Sequence, residues 1–504
     1  MNKTFPLKYI LITATIFYLF FIINSSFLIN EERYFTLVDD AMISMRYAKH
    51  LAQGHGLVWN IGEAPIEGFT NLGWTLYLAF LHLFPFATSK ISLAVMLTSV
   101  VILLANIIVV YKISQILFPQ AKIAPTLSAI ITAFYFPLVF WSLRGMEVGL
   151  LTLLINYAIF LALKQENQFL ISLILAIAII VRIDAAISAM LIAIYYFIKK
   201  KSFIPILVVI FTVTAILIFQ KYYFGDFLPN TYYQKVTGYT IFERVRKGIL
   251  VFVEFAARDV LTLLFFSIAT LIFYKQRTPE TFLLLGIFLA QCAYSIYVGG
   301  DYAEPETNAA NRFITQAMST LFILFSWMTN RIFSDLETAQ PQLTFSNSKV
   351  NPAILLSVII LLIISGEPWF NYSINNAPLL KADIRRVKLA LHIKENTSPE
   401  AVIAVHAAGQ IPYYSERTTI DLLGLNDSFV AKGQGEGEFY PGHNKWNYYY
   451  SIDQLQPDLI ADNFEPLGAF MRSNSQYQLL DSDIYVRIDS LLINFEGLNE
   501  KDYR

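Results

Sequence analysis

The chain has 504 residues, of which 56% are hydrophobic and 15% are charged, with a mean hydropathy of +0.51. Soluble domains carry about a quarter charged residues, so this composition excludes a single water-soluble globule and marks a polytopic membrane protein. The net charge of −1 gives no electrostatic basis for a nucleic-acid partner, and one cysteine, Cys292, excludes an internal disulfide framework.

In chain order, "MNKTFPLK" precedes a long apolar run without a small-residue cleavage site, so it reads as a retained signal anchor. A spanning helix needs about 20 apolar residues. Eleven stretches are candidates: 9–29, 91–111, 123–141, 148–163, 168–181, 185–198, 202–219, 252–274, 281–298, 313–328 and 353–365. The segment 73–86, "GWTLYLAFLHLFPF", is short and carries Pro85, so it is expected to be re-entrant or interfacial. With the N-terminus in the cytoplasm, the inner loops carry Lys3 and Lys8, Lys112 and Lys122, Lys164, Lys199 to Lys201, Lys275 and Arg277, and Arg331 and Lys349. That bias satisfies the positive-inside rule, whereas a full span at 73–86 would move "KKK" outside.

After residue 367 the text becomes charged and helical ("LKADIRRVKLALHIKEN"). It then alternates into short β-like runs: "AVIAVHAAG", "TTIDLLGL", "PDLIADNF" and "QYQLLDSDIYVRID". The expected fold class is an α-helical membrane bundle of about 11 transmembrane helices over residues 1–366, followed by a small α/β domain over 367–504 outside the cytoplasm.

This topology sorts the polar residues onto one side. Asp39, Asp40, Glu63 and Glu67 fall in the first outside loop (30–90), Arg144 and Glu147 in the second, and Arg182 and Asp184 in the third. Asp226, Asn230 and Lys235 fall in the fourth, and Asp301 and Arg312 in the fifth. Ionisable groups near hydrocarbon cost about 2.5–3.5 kcal/mol each at a span centre, so they are kept where they pair or line a watery cavity. Arg182 with Asp184 could simply close a hairpin, and Arg144 with Glu147 has i,i+3 spacing. Lys235 also suits an interfacial snorkelling role.

The stretch "LVDDAMISMRYAKHLAQGHGLVWN" raises a sharper question. Asp is a good helix N-cap, and Ala41, Met45, Ala48 and Ala52 fall on one helical face, with Ser44, Arg46, Lys49 and Gln53 polar between them. Capping needs one carboxylate, and there are two. Adjacent carboxylates repel, which raises the proton affinity of one unless a cation or a divalent metal compensates. A catalytic acid or base is the functional reading. The following glycine-rich loop interleaves Trp59, Glu67 and Phe69, which suits a sugar ring as well as an ordinary interfacial belt. There is no P-loop, no serine-nucleophile motif and no regularly spaced metal-ligand cluster.

The first-loop run "DDAMISMRYAKHLAQGHGLVWNIGEAPIEGFTN" resembles that of the bacterial arabinofuranosyltransferase-like glycosyltransferases of the GT-C superfamily. "GMEVGLL", "VRIDAA", "YYFGDFLPNTYYQK", "YVGGD" and "AAGQIPYYSERTTIDLLGLND" follow in the same order. The chain departs from that pattern at Ile183, where proline is commoner, and in the insertion "EPETNAA" between Asp301 and Arg312. The resemblance implies an inverting hexosyl- or pentosyltransferase of the bacterial cytoplasmic membrane, with its active site and C-terminal domain on the periplasmic side. It implies a polyprenyl-phosphate sugar donor and a cell-envelope glycan or lipid acceptor. Asp39 or Asp40 would be the base, Asp39 being favoured. Arg182, Lys235 and Arg312, with Arg144 in reserve, would meet the donor phosphate. Trp59, Glu67, Glu147, Asp184, Asn230 and Asp301 would serve sugar or acceptor. A flippase of a lipid-linked sugar and an O-antigen ligase or polymerase are the competing classes, disfavoured by the one-sided acids and by the early position of the main motif.

Overall fold

The computed structural model describes residues 6–121, 123–260, 263, 264, 267, 268, 272, 278–301, 311–339, 352–374, 378–461, 466–480 and 484–499. Lys3, Lys122, Lys275, Arg277, Lys349 and the "EPETNAA" insertion lie outside the described residues. The chain divides into two compact units.

The first unit comprises Met1–Asn24, Val95–Ile216 and Val245–Ala377. Among the described residues, five helices are long and apolar enough to cross a membrane: Leu7–Asn24, Ile91–Leu117, Ile204–Tyr223, Pro279–Val298 and Ile354–Tyr372. A sixth candidate is the pair Ala124–Phe134 and Phe136–Leu143, bent by 47°. The bend follows from sequence: Tyr135 is extended at φ −67°, ψ 111°, and Pro137 sits in the first turn of the second piece, where its missing N–H costs nothing. The Phe136 N–H released by the break donates to Ser365 Oγ at 3.1 Å. Val148–Leu163 and Gln168–Val181 form with the expected bounds but are shorter than a span needs. The protein is thus a multi-pass membrane protein; among the described residues five or six helices qualify as spans by length and apolarity, which does not confirm the eleven expected.

Three expected boundaries move. The first helix ends at Asn24, and residues 27–29 form strand β1, paired antiparallel with β2 (Glu32–Tyr34). The 313–328 stretch opens with a separate turn, Arg312–Thr315, before the helix Met318–Ala339. The 252–274 stretch is entered by a helix, Ile241–Phe255, that gives way to a wide π turn over Ala256–Val260. Ile155, Ile159, Leu175, Ile192, Leu284 and Leu324 are among the buried residues of the unit's interior.

The second unit joins Ser25–Ala94, Leu217–Arg244 and Pro378–Arg504. The helix Leu72–His82 in it is 11 residues long. At 1.5 Å per residue it is roughly 16 Å long, too short to span, in keeping with the interfacial reading. The C-terminal segment opens with the helix Pro378–Asn396 and builds a five-stranded sheet in the order β4-β3-β5-β7-β6. These strands are β3 (Val402–Val405), β4 (Thr418–Asp421), β5 (Leu459–Ile460), β6 (Tyr477–Leu479) and β7 (Tyr485–Arg487), each within one of the expected β-like runs. β3 is parallel to both β4 and β5, and β7 is antiparallel to β5 and β6. Ala404, Leu422, Ile452, Ile460, Tyr477 and Tyr485 are part of its apolar core.

Candidate active site

The Asp39–Ala52 helix begins at the paired aspartates, but neither of them caps it. The N-cap is Val38, with no side-chain cap hydrogen bond, and Asp39 and Asp40 occupy the first turn. Carboxylates there still favour the positive end of the helix dipole. Asp39 is instead engaged by the C-terminal domain. Its Oδ2 accepts from the Gly409 N–H at 3.1 Å, and its Oδ1 accepts from the Gln410 N–H at 2.8 Å. Asp39 is half-buried and Asp40 is exposed. Enclosure by protein raises the proton affinity of Asp39, and the Asp40 charge raises it further, while Arg386 and the two N–H donors act in the opposite direction.

The expected polar face of this helix is solvated only toward its C-terminal end, at Lys49 and Gln53. Ser44 and Arg46 are buried. Ser44 Oγ donates to Asn71 Oδ1 at 2.9 Å. The Arg46 guanidinium donates to the carbonyls of Trp59, Pro412 and Arg417 and to Asn60 Oδ1, at 2.6–2.9 Å. The amphipathic pattern fails here because the helix is covered by its own loop and by the C-terminal domain. Trp59, expected at a sugar ring, is only 3% exposed, and its indole N–H donates to the Thr419 carbonyl at 3.2 Å. Its ring packs inside the unit.

Glu67 is buried at 3% exposure, and Gln220 Nε2 donates to its two oxygens at 3.1 and 2.9 Å. Burial pushes its carboxyl up to about 8, against the smaller effect of the Gln220 amide. Asn230 follows directly. Its N–H donates to the Glu67 carbonyl at 2.9 Å, and its Nδ2 reaches the carbonyls of Gly424 and Leu425, each at 2.9 Å. That loop is shaped by Asp421, at the end of β4, whose carboxylate accepts from the N–H groups of Leu423, Gly424 and Asn426 and from Asn426 Nδ2. Burial pushes Asp421 up to about 6 against these donors. Lys235 lies partly buried in the short helix Asn230–Val236.

The other candidates gather in the membrane unit. Arg182 Nη1 donates to Glu147 Oε1 at 2.7 Å, and its Nε lies 2.9 Å from Asp184 Oδ1. The pair with Asp184 forms, but Arg182 also reaches across to the start of Val148–Leu163, so it does more than close a hairpin. Arg312 forms a bidentate pair with Asp301, Nε to Oδ2 at 2.8 Å and Nη2 to Oδ1 at 2.7 Å, and its own N–H adds a third bond at 3.0 Å. The guanidinium carbons of Arg182 and Arg312 lie over the rings of Phe313 and Trp141, at 4.9 and 5.0 Å. Arg144 is buried at 3%. Paired carboxylates and aromatic faces thus hold two guanidinium planes in fixed orientations.

The structure therefore brings Glu147, Arg182 and Asp184 together, pairs Asp301 with Arg312, and joins Glu67 to Asn230. Among the described residues no group of three or more His, Cys, Asp or Glu is arranged to hold a metal ion. Sequence reasoning passed over Arg46, Gln410, Arg386 and Asp421. Arg46 was visible only as a polar position on an amphipathic helix, and Gln410 and Arg386 meet the first-loop helix from far away in sequence, whereas Asp421 bonds within its own loop.

The match to a family model covers residues 378–499 and is described as a domain of unknown function, DUF8728. A search of curated protein sequences finds no match. Solved structures similar in fold include the following two. ArnT from Cupriavidus metallidurans bound to undecaprenyl phosphate aligns with a TM-score of 0.50 and 10% identity over 82% of this chain and 85% of that one. The Archaeoglobus fulgidus oligosaccharyltransferase in its apo form aligns with a TM-score of 0.50 and 10% identity over 91% of this chain and 69% of that one. The chain shares its overall fold with these two proteins.

Proposed function

We propose that the protein is an inverting membrane glycosyltransferase that moves a sugar from a polyprenyl-phosphate donor to an acceptor hydroxyl, with Asp39 as general base. The observation that carries this reading is the Asp39 carboxylate itself: oriented by two backbone N–H donors, raised in proton affinity by enclosure and by Asp40, and still partly open to solvent. A fixed carboxylate of raised basicity suits removal of a proton from a hydroxyl. The acceptor oxygen then bonds to the anomeric carbon as the bond from that carbon to the phosphate oxygen breaks, and polyprenyl phosphate leaves with the electron pair. Arg182 and Arg312 are assigned to the charge growing on the phosphate, with Arg144 and Lys235 as further cations. Binding of undecaprenyl phosphate by one structural neighbour, and the oligosaccharyltransferase nature of the other, support a lipid-phosphate donor.

We further assign the acceptor to a cell-envelope glycan or lipid, the active side to the periplasm of a bacterial inner membrane, and the sugar to a pentose or hexose, arabinofuranose being the first to test. The test uses the purified full-length chain in nanodiscs, with synthetic undecaprenyl-phosphate arabinofuranose, glucose, galactose or mannose. Release of undecaprenyl phosphate with inverted product, lost in Asp39→Asn, is the expected result. Movement of labelled lipid between leaflets, with no sugar transferred from any donor, would instead make the protein a flippase.

A further inference from the structure

We propose that the C-terminal domain is a working part of the active site, with the backbone of Gly409 and Gln410 acting as the positioning element for the Asp39 carboxylate. The inference rests on reading Asp39 as the base, and it gives the segment matched only as a domain of unknown function a defined task.

Four contacts carry it. The Gly409 and Gln410 N–H groups each take one carboxylate oxygen, which fixes the plane of the group as well as its place. The Gln410 side chain then fastens the same segment on both sides. Its Nε2 donates to the Leu37 carbonyl, two residues before Asp39, at 2.9 Å, and to Asp383 Oδ1 at 2.6 Å. Position 409 tolerates no side chain: a Cβ there would lie 1.8 Å from the Asp39 carbonyl oxygen and 2.9 Å from its Cγ. The main chain of the domain is thus in direct van der Waals contact with the aspartate, a closeness that only glycine permits. The charged groups around this point are Asp40 on the helix of Asp39, and Asp383 and Arg386 on the Pro378–Asn396 helix.

A domain that merely covered the site, or held acceptor glycan at a distance, would not need its peptide groups bonded to the one carboxylate proposed to take the proton. A positioning role predicts that disturbing residues 409 and 410 changes the titration of Asp39 itself.

The experiment follows Asp39 protonation in the purified full-length protein by infrared difference spectra across a pH series, the band being assigned by its loss in Asp39→Asn. Gly409→Ala, which must push the segment off the aspartate, is expected to shift the proton affinity of Asp39 about tenfold, because its enclosure and its two N–H bonds are disturbed together. Gln410→Ala, which keeps its N–H but frees the segment, is expected to shift it about threefold. An unshifted midpoint in both variants overturns the proposal. Where Gly409→Ala does not accumulate as folded protein, Gln410→Ala alone decides. Turnover of undecaprenyl-phosphate arabinofuranose is measured alongside, with a fall in kcat at unchanged KM expected for both variants. Full turnover by Asp39→Asn would sink the base assignment, while the infrared shift would still report whether the domain sets the carboxylate.

Discussion

Arg46 lies over the indole of Trp59, 4.6 Å from guanidinium carbon to ring centroid, and its Nε donates to the Trp59 carbonyl at 2.8 Å. One cation thereby ties the Asp39–Ala52 helix both to its own loop and to the carbonyls of Pro412 and Arg417 in the C-terminal domain. Arg46→Met keeps the apolar stem but leaves buried oxygens without donors. It is expected to cost about 3 kcal/mol of stability, the penalty of more than one orphaned acceptor. Hydrogen exchange at residues 410–420 checks this. Arg46→Met should exchange much faster there than wild type, and protection equal to wild type would mean that the guanidinium contributes little.

How much of this was legible beforehand depended on the range of the interaction. The five C-terminal strands, the short 72–82 helix and the helices 148–163 and 168–181 come from local patterning, and they form where the sequence places them. The helix caps and partners do not follow from local pattern. Asp39 looks like an N-cap in isolation, but its oxygens take peptide groups some 370 positions away. Arg46 looks like a solvated residue for the same reason. The end of the first span was placed too late, because apolar Phe27, Leu28 and Ile29 follow Asn24 closely but form a hairpin strand. The acids and bases of "VRID" and "GGD" were recognisable as unusual, but their pairings across helices were not.

Glu67 supplies a pH dependence. Its carboxyl moves from the ordinary 4.5 to about 8 in the folded chain, chiefly through burial. A folded value above the unfolded one means that the native state holds a proton the unfolded chain has released. The stabilisation is therefore complete below 4.5, declines as pH rises through the window from 4.5 to about 8, and is gone above it. The slope is at most about 1.4 kcal/mol per pH unit. Glu67→Gln cannot ionise, so its thermal stability, measured from pH 5 to pH 9, should lack this decline. Parallel curves for variant and wild type would show that Glu67 stays ionised when folded.

Gly248 marks a close crossing within the membrane unit. A Cβ at this position of the Ile241–Phe255 helix would lie 2.2 Å from the Ile296 carbonyl oxygen on Pro279–Val298. Small residues at such crossings let helix backbones approach, and packing is the main attraction between helices in lipid. Gly248→Ala should lower the unfolding temperature in detergent, with a loss of about 1–3 kcal/mol expected from overpacking. Gly286 on the partner helix, whose Cβ would meet nothing within 4 Å, is the matched control and should tolerate alanine. Equal behaviour of the two variants would show that the crossing is loose.

The Arg312–Asp301 pair separates a scaffold from a phosphate site. Both residues are buried, at 7% and 5% exposure, and the bidentate geometry fixes the guanidinium plane. Removing either partner of a buried pair strands the other, at a cost of about 3–5 kcal/mol, so both Arg312→Gln and Asp301→Asn should be less stable than wild type. Their effects on donor phosphate should diverge if Arg312 meets it. Arg312→Gln loses the cation and is expected to weaken binding of undecaprenyl phosphate at least tenfold, a loss of about 1.4 kcal/mol. Asp301→Asn removes a competing anion and should leave that affinity equal or higher. Titration of the purified variants with undecaprenyl phosphate measures both, and their double variant closes the cycle. If the two single variants lose affinity in parallel, the pair is a scaffold, and the phosphate role passes to Arg182.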